Sequence, residues 1–74
     1  MKADGNLMRI TRIERGHSLS GLGRKLGIDK AQLSRVERGI EGLSPGKMRK
    51  LATELDLPMD RLAPDLAQMK ADAA

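Results

Sequence analysis

Lys30, Ala31, Gln32, Ser34, Arg35 and Arg38 are crowded into one short segment, and their shared chemistry is recognition rather than catalysis. A guanidinium at Arg35 can take guanine O6 and N7 together, Lys30 and Ser34 can meet base edges, and Ala31 can pack on a thymine methyl. Gln32 stands between a base and a phosphate role. Arg38 suits a phosphate, as do Ser18 and the backbone N–H groups just after it. The parts of an enzyme are missing. With one histidine, no cysteine, no phosphate-cradling GxxxxGK and no paired inward carboxylates, there is nothing from which to build an active site, a metal centre or a cofactor pocket. His17 is expected in a partly buried structural role, the five methionines in core, start and tail, and Arg24 and Lys25 on plain surface.

Composition narrows the partner. A chain of 74 residues makes one small domain with a modest core. No apolar run approaches the ~20 residues that span a bilayer. The opening MKADGNL lacks a signal-peptide core, so a cytoplasmic protein without membrane contact is expected. Residues 1–39 hold nine Lys/Arg against four Asp/Glu, a net +5, whereas residues 40–74 come to −1. The positive half fits a polyanion-binding face. Phe, Tyr and Trp are all absent, which removes the stacking platforms used for single strands and by RNA-binding sheets. If the partner is a nucleic acid, duplex DNA is the natural target.

The elements that must position these residues are helical. Leu19–Leu26 and Lys30–Arg38 are joined by Gly27-Ile28-Asp29, a joint short enough only for a tight corner between packed helices. Gly16, Gly27 and Gly39 supply helix ends. Ser18, Asp29 and Ser44-Pro45 supply starts, and Asp29 with Gln32 resembles a capping box. The spacing predicts helices at about 6–15, 19–26, 30–38, 45–55 and 59–63, within ~2–4 residues. The tail 65–74 either extends the fifth helix through Leu62, Leu66 and Met69 or frays. Helical periodicity selects a core of Leu22, Leu26, Leu33, Val36, Met48, Leu51, Leu55, Leu57 and Leu62, joined by Met8, Leu19 and Ile28. Counting 100° per residue from Leu33, Val36 and Glu37 fall on the buried side of the third helix and Ala31, Ser34, Arg35 and Arg38 on the other. An inward carboxylate needs a partner, and Arg12, one turn after Met8, is the residue placed to supply it.

Four segments in register then resemble one family. Leu22-Gly23-Arg24-Lys25-Leu26-Gly27-Ile28 is similar to its LARKLGV, and Leu33-Ser34-Arg35-Val36-Glu37-Arg38-Gly39 to its LSRIERG. Ser44–Ala52 is similar to SPETLRKLA and Leu57–Leu62 to VPLDEL. The run from Arg12 to Leu62 resembles the lambda-repressor/Cro-like, or XRE, helix-turn-helix family. The resemblance implies a compact all-α bundle of five helices with the helix-turn-helix at helices 2 and 3, an Arg12–Glu37 pair, and operator binding as a dimer. Departures are specific. Gly23 replaces an alanine at the contact of helices 2 and 3, and Gly21 adds a second soft position. Leu19 stands where many relatives have a phosphate-touching glutamine. Ile40-Glu41-Gly42-Leu43 replaces a basic loop that clamps phosphate.

Two functions are therefore in contest, both carried by a domain expected over residues 1–64. One is a sequence-specific double-stranded DNA-binding transcriptional regulator, a homodimeric repressor on an inverted-repeat operator with no small-molecule ligand. The other is a protein-binding module on the same fold, an antiactivator, antitoxin or accessory subunit. Ile10, Ile40 and Leu43 are the surface expected for a dimer or a regulatory protein partner.

Overall fold

The computed structural model describes residues 1–73, in which six helices follow one another. They are α1 (Gly5–Glu14), α2 (Leu19–Leu26), α3 (Lys30–Glu37), α4 (Pro45–Leu55), α5 (Met59–Leu62) and α6 (Pro64–Ala73). Among the described residues there is no strand. The expected helix count of five is corrected to six, and Pro64 is the cause. Proline has no N–H and disfavours helical geometry in the residue before it. Ala63 accordingly sits at φ −117°, ψ 89°, and a separate helix starts beyond it. Leu66 leans on the core from α6, whereas Met69 is 60% exposed and stays outside it.

The helix starts are held by side chains. Ser18 Oγ accepts from the Gly21 N–H at 2.9 Å and Ser44 Oγ from Lys47 at 3.3 Å, with Pro45 in the first turn of α4. Asp4, not foreseen as a cap, accepts from Leu7 at 3.1 Å. Asp29 accepts from Ala31 at 3.4 Å, but among the described residues Gln32 returns no bond to it. The expected capping box is therefore only half made. Helix ends share one backbone closure. After α1, α3 and α4 a left-handed residue follows (Gly16, Gly39 and Asp56), and crossed bonds run back into the helix.

Met8, Leu22, Leu33, Val36, Met48, Leu51, Leu55 and Leu62 are fully buried where α1 packs on α3 and α4, α2 on α3 and α4, and α5 on α4. Each contributes roughly 1.5–3 kcal/mol. Leu19 and Leu57 line the rim of this core rather than its centre. Leu43 belongs to the core as well, at 3% exposure, which corrects its place on a partner surface. The loop after α3 turns it inward, and its N–H donates to the Met1 carbonyl at 2.8 Å. The opening residues form a strap that the periodicity did not disclose. Asp4 N–H donates to Leu62 O at 2.7 Å, Lys2 N–H to Asp65 at 3.2 Å, and Lys2 Nζ to Gly39 O at 2.6 Å.

Candidate nucleic-acid interface

The corner between α2 and α3 is tighter than a side chain allows. Gly27 adopts the left-handed conformation at φ 67°, which costs glycine nothing, and the Ile28 N–H returns to Gly23 O at 2.9 Å. A Cβ at Gly23 would stand 2.5 Å from the Ile28 carbonyl oxygen. The missing methyl is what lets the turn lie against α2, and that contact sets the angle at which α3 leaves the corner.

The inner face of α3 is pinned. Leu33 and Val36 are fully buried. Glu37 takes Arg12 in a two-pronged ion pair, Nε to Oε2 at 2.5 Å and the second amino group to Oε1 at 3.3 Å. The remaining amino group of Arg12 donates to the His17 carbonyl at 2.8 Å, so one guanidinium ties α1, the turn before α2, and α3. His17 is half-buried, and the contact it makes here is through its backbone. The side chains of Arg12 and Glu37 are 13% and 7% exposed, so the pair is largely withdrawn from solvent.

The outer face carries the recognition candidates. Lys30 and Ala31 are exposed, and Gln32 and Ser34 are partly so. Arg38 is exposed, with its Nε bent back to Ser34 O at 3.3 Å at the carbonyl end of its own helix. Ser18 Oγ is engaged as the cap of α2. Lys25 is exposed, as expected, and its ammonium lies 3.2 Å from Glu54 of α4 in a surface ion pair. Arg35 is half-exposed and already partnered. Its Nε donates to Glu41 Oε1 at 2.7 Å across the turn after α3. The Arg35 guanidinium holds the Glu41 carboxyl below its usual range against a smaller opposing effect of desolvation, with Gln32 adding to the lowering.

Glu41 is the residue that sequence reasoning missed. By residue type it reads only as the loss of a basic clamp, although it lies six positions beyond Arg35 across a predicted glycine turn. Ile10 and Ile40 are 56% and 61% exposed. Ile13, three residues after Ile10, is 55% exposed as well, a position the sequence did not single out. Among the described residues no group of His, Asp or Glu is arranged to hold a metal ion, and no helix is long and apolar enough to cross a membrane.

Solved structures similar to this chain include transcriptional regulators. SinR, the master regulator for biofilm formation, solved in complex with DNA, is 34% identical over 74% of this chain and 89% of its own, with a TM-score of 0.68. A complex of SinR with SinI protein matches 95% of this chain and 77% of its own at 28% identity and a TM-score of 0.71. An HTH_3 family transcriptional regulator from Vibrio cholerae is 26% identical with a TM-score of 0.69, and the match spans 89% of this chain but 37% of that one. No curated protein sequence matches significantly. The profile of the HTH_3 helix-turn-helix family aligns with residues 8–62, from the first buried methionine to the last buried leucine of α5. With the tight α2–α3 corner at the centre of that match, the chain belongs to the XRE-type helix-turn-helix family.

Proposed function

We propose that this chain is a sequence-specific double-stranded DNA-binding transcriptional regulator, acting in the cytoplasm as a homodimeric repressor on an inverted-repeat operator. One observation carries the reading. Helix α3 is pinned from beneath by Leu33, Val36 and the Arg12–Glu37 pair, while Lys30, Ala31, Gln32, Ser34 and Arg35 occupy its other side. A helix rigid on one face and polar on the other is what a major groove accepts. In this reading Arg35 takes a guanine edge, Lys30, Ala31, Ser34 and Gln32 meet its neighbours, and Ser18 and Arg38 face phosphates. The likeness to SinR, solved in complex with DNA, supports DNA binding as the general reading.

The test is a salt titration of purified protein with DNA from its own promoter region. Specific binding should exceed binding to scrambled duplex by ~10³-fold or more. Affinity should fall with salt in proportion to the phosphates neutralised. Arg35→Ala should cost about 1–3 kcal/mol on the preferred site with the fold intact. Equal binding to all duplexes at every salt concentration would refute the reading.

The second reading is a protein-binding module, favoured by the exposed Ile10, Ile13 and Ile40 and by the likeness to SinR in its complex with SinI protein. A partner retained by the native chain and lost by Ile10→Glu and Ile40→Glu, with monomer mass and fold unchanged, would establish it.

A further inference from the structure

We propose that Glu41 is a positioning residue for base recognition. By occupying Nε of Arg35 it holds the guanidinium so that the two terminal amino groups face outward as a fork for a guanine edge. The inference rests on the DNA-binding reading given above. Arginine is long and flexible, and an unrestrained guanidinium loses much conformational freedom when it docks on a base. Guanine O6 and N7 need only two parallel donors. That leaves the Nε–H of Arg35 free for another acceptor, and in this structure it is taken by Glu41 at 2.7 Å.

The backbone fixes the carboxylate in turn. The Ile40 N–H donates to Arg35 O at 2.9 Å and the Gly39 N–H to Val36 O at 3.1 Å, with Gly39 at φ 75°. This crossed pair is the Schellman closure, and it brings the chain back over the last turn of α3. Leu43, buried two residues later, anchors the far side of the same loop. Glu41 is thus held between two fixed points, with its carboxylate on Arg35 Nε.

A carboxylate here has a cost that separates this role from a purely electrostatic one. It repels every duplex alike, so its removal should tighten non-specific binding whatever replaces it. Orientation acts instead on discrimination between bases. Glutamine at this position keeps an oxygen that can accept from Arg35 Nε and loses the charge, whereas alanine loses both.

The experiment begins with selection of duplexes from a randomised oligonucleotide pool by the full native chain. The winning duplex is then compared with its single guanine-to-adenine replacements for the native chain, Arg35→Ala, Glu41→Gln and Glu41→Ala. The native chain should discriminate at one guanine by roughly 5- to 150-fold, and Arg35→Ala should abolish that preference. Glu41→Ala should lower it by about fivefold or more at unchanged melting temperature, and Glu41→Gln should preserve most of it. Both Glu41 variants should bind scrambled duplex more tightly than the native chain. If Glu41→Ala discriminates as well as the native chain while Arg35→Ala does not, the positioning role is overturned and the DNA-binding reading survives. The positioning role falls in the same way if the two Glu41 variants lose discrimination equally, or if both simply melt earlier. A native chain that selects no sequence from the pool overturns both.

Discussion

Arg12 and Glu37 form a nearly solvent-free, two-pronged ion pair that joins α1 to α3, with the third donor of Arg12 spent on the His17 carbonyl. Removing either partner strands a charge that burial penalises. Arg12→Ala or Glu37→Ala should each lower stability by about 3–5 kcal/mol in urea unfolding. An Arg12→Met, Glu37→Leu double variant should recover most of that loss, because no unpaired charge remains. If each single variant costs under about 1 kcal/mol, the pair behaves like a surface bridge and does not brace the recognition helix.

Gly23 separates two effects that usually act together. Alanine favours a helix interior over glycine by about 1 kcal/mol, and the family resemblance expects alanine here. In this chain the added methyl would stand 2.5 Å from the Ile28 carbonyl, a backbone atom that cannot rotate away. Gly23→Ala should therefore lose about 1–3 kcal/mol through overpacking. At Gly46, in the first turn of α4, a Cβ meets nothing within 4 Å. Gly46→Ala should gain about 0.4–1 kcal/mol through the unfolded chain. Thermal melts of the two variants should move in opposite directions, and a stabilised Gly23→Ala would show that the corner yields.

What was legible in the sequence follows from range. The α2 and α3 boundaries, their caps and the burial of Leu22, Leu33 and Val36 depend on residues within a turn or two, where periodicity and capping chemistry operate. The Arg12–Glu37 pairing was accessible too, since an inward carboxylate demands a cation. The break at Pro64 is equally local and is written in the proline itself, although the spacing of Leu62, Leu66 and Met69 runs straight across it. Other features depend on tertiary closure. The Met1–Asp4 strap pairs with Leu43, Leu62 and Asp65, contacts that no helical pattern encodes. Leu43 looks like a loop residue free for a partner because its neighbours are polar or glycine, and only the path of the loop turns it inward. On the outer face of α3, residue types indicate what could be recognised, but the tie from Glu41 to Arg35 is hidden by the turn between them.

Asp56 is the exception among the left-handed helix ends. It sits at φ 53°, ψ 45°, closing α4 with the same crossed bonds that Gly16 and Gly39 support after α1 and α3. A Cβ makes this conformation unfavourable, and a negative charge at the carbonyl end of a helix adds to the cost. Its ion pair with Arg15, at 3.7 Å and largely in solvent, offsets little. Asp56→Gly should raise stability by about 0.5–1 kcal/mol. A lower melting point would mean that the Arg15 contact outweighs both penalties.

The Arg35–Glu41 tie has a definite pH dependence. The Arg35 hydrogen bond, with help from Gln32, lowers the folded-state pKa of Glu41 below its ordinary 4.5. A depressed carboxylate stabilises the fold fully above the unfolded value and loses that contribution as pH falls through the folded one. The tie should therefore persist unchanged across neutral pH and break only below the ordinary glutamate range. Carbon-detected NMR of the Glu41 carboxyl should show a midpoint that rises in Arg35→Ala. An unmoved midpoint would mean that the two side chains do not hold each other in solution.

Ile40 and Leu43 share one loop but should respond very unequally to the same substitution. Ile40 is 61% exposed, and Leu43 is 3% exposed beneath the strap. A carboxylate at position 40 meets water, and the change in stability should stay within about 0.5 kcal/mol. At position 43 the substitution removes a packed side chain, about 2–5 kcal/mol on the scale of leucine truncations, and buries a charge as well. Leu43→Glu should therefore fail to fold, whereas Ile40→Glu should keep the native circular dichroism spectrum and melting temperature. Loss of a protein partner with Leu43→Glu thus says nothing about a surface, and loss with Ile40→Glu does. If the Leu43 variant instead melts like the native chain, the loop is not seated in the core, and Glu41 loses one of the two anchors that hold it beside Arg35.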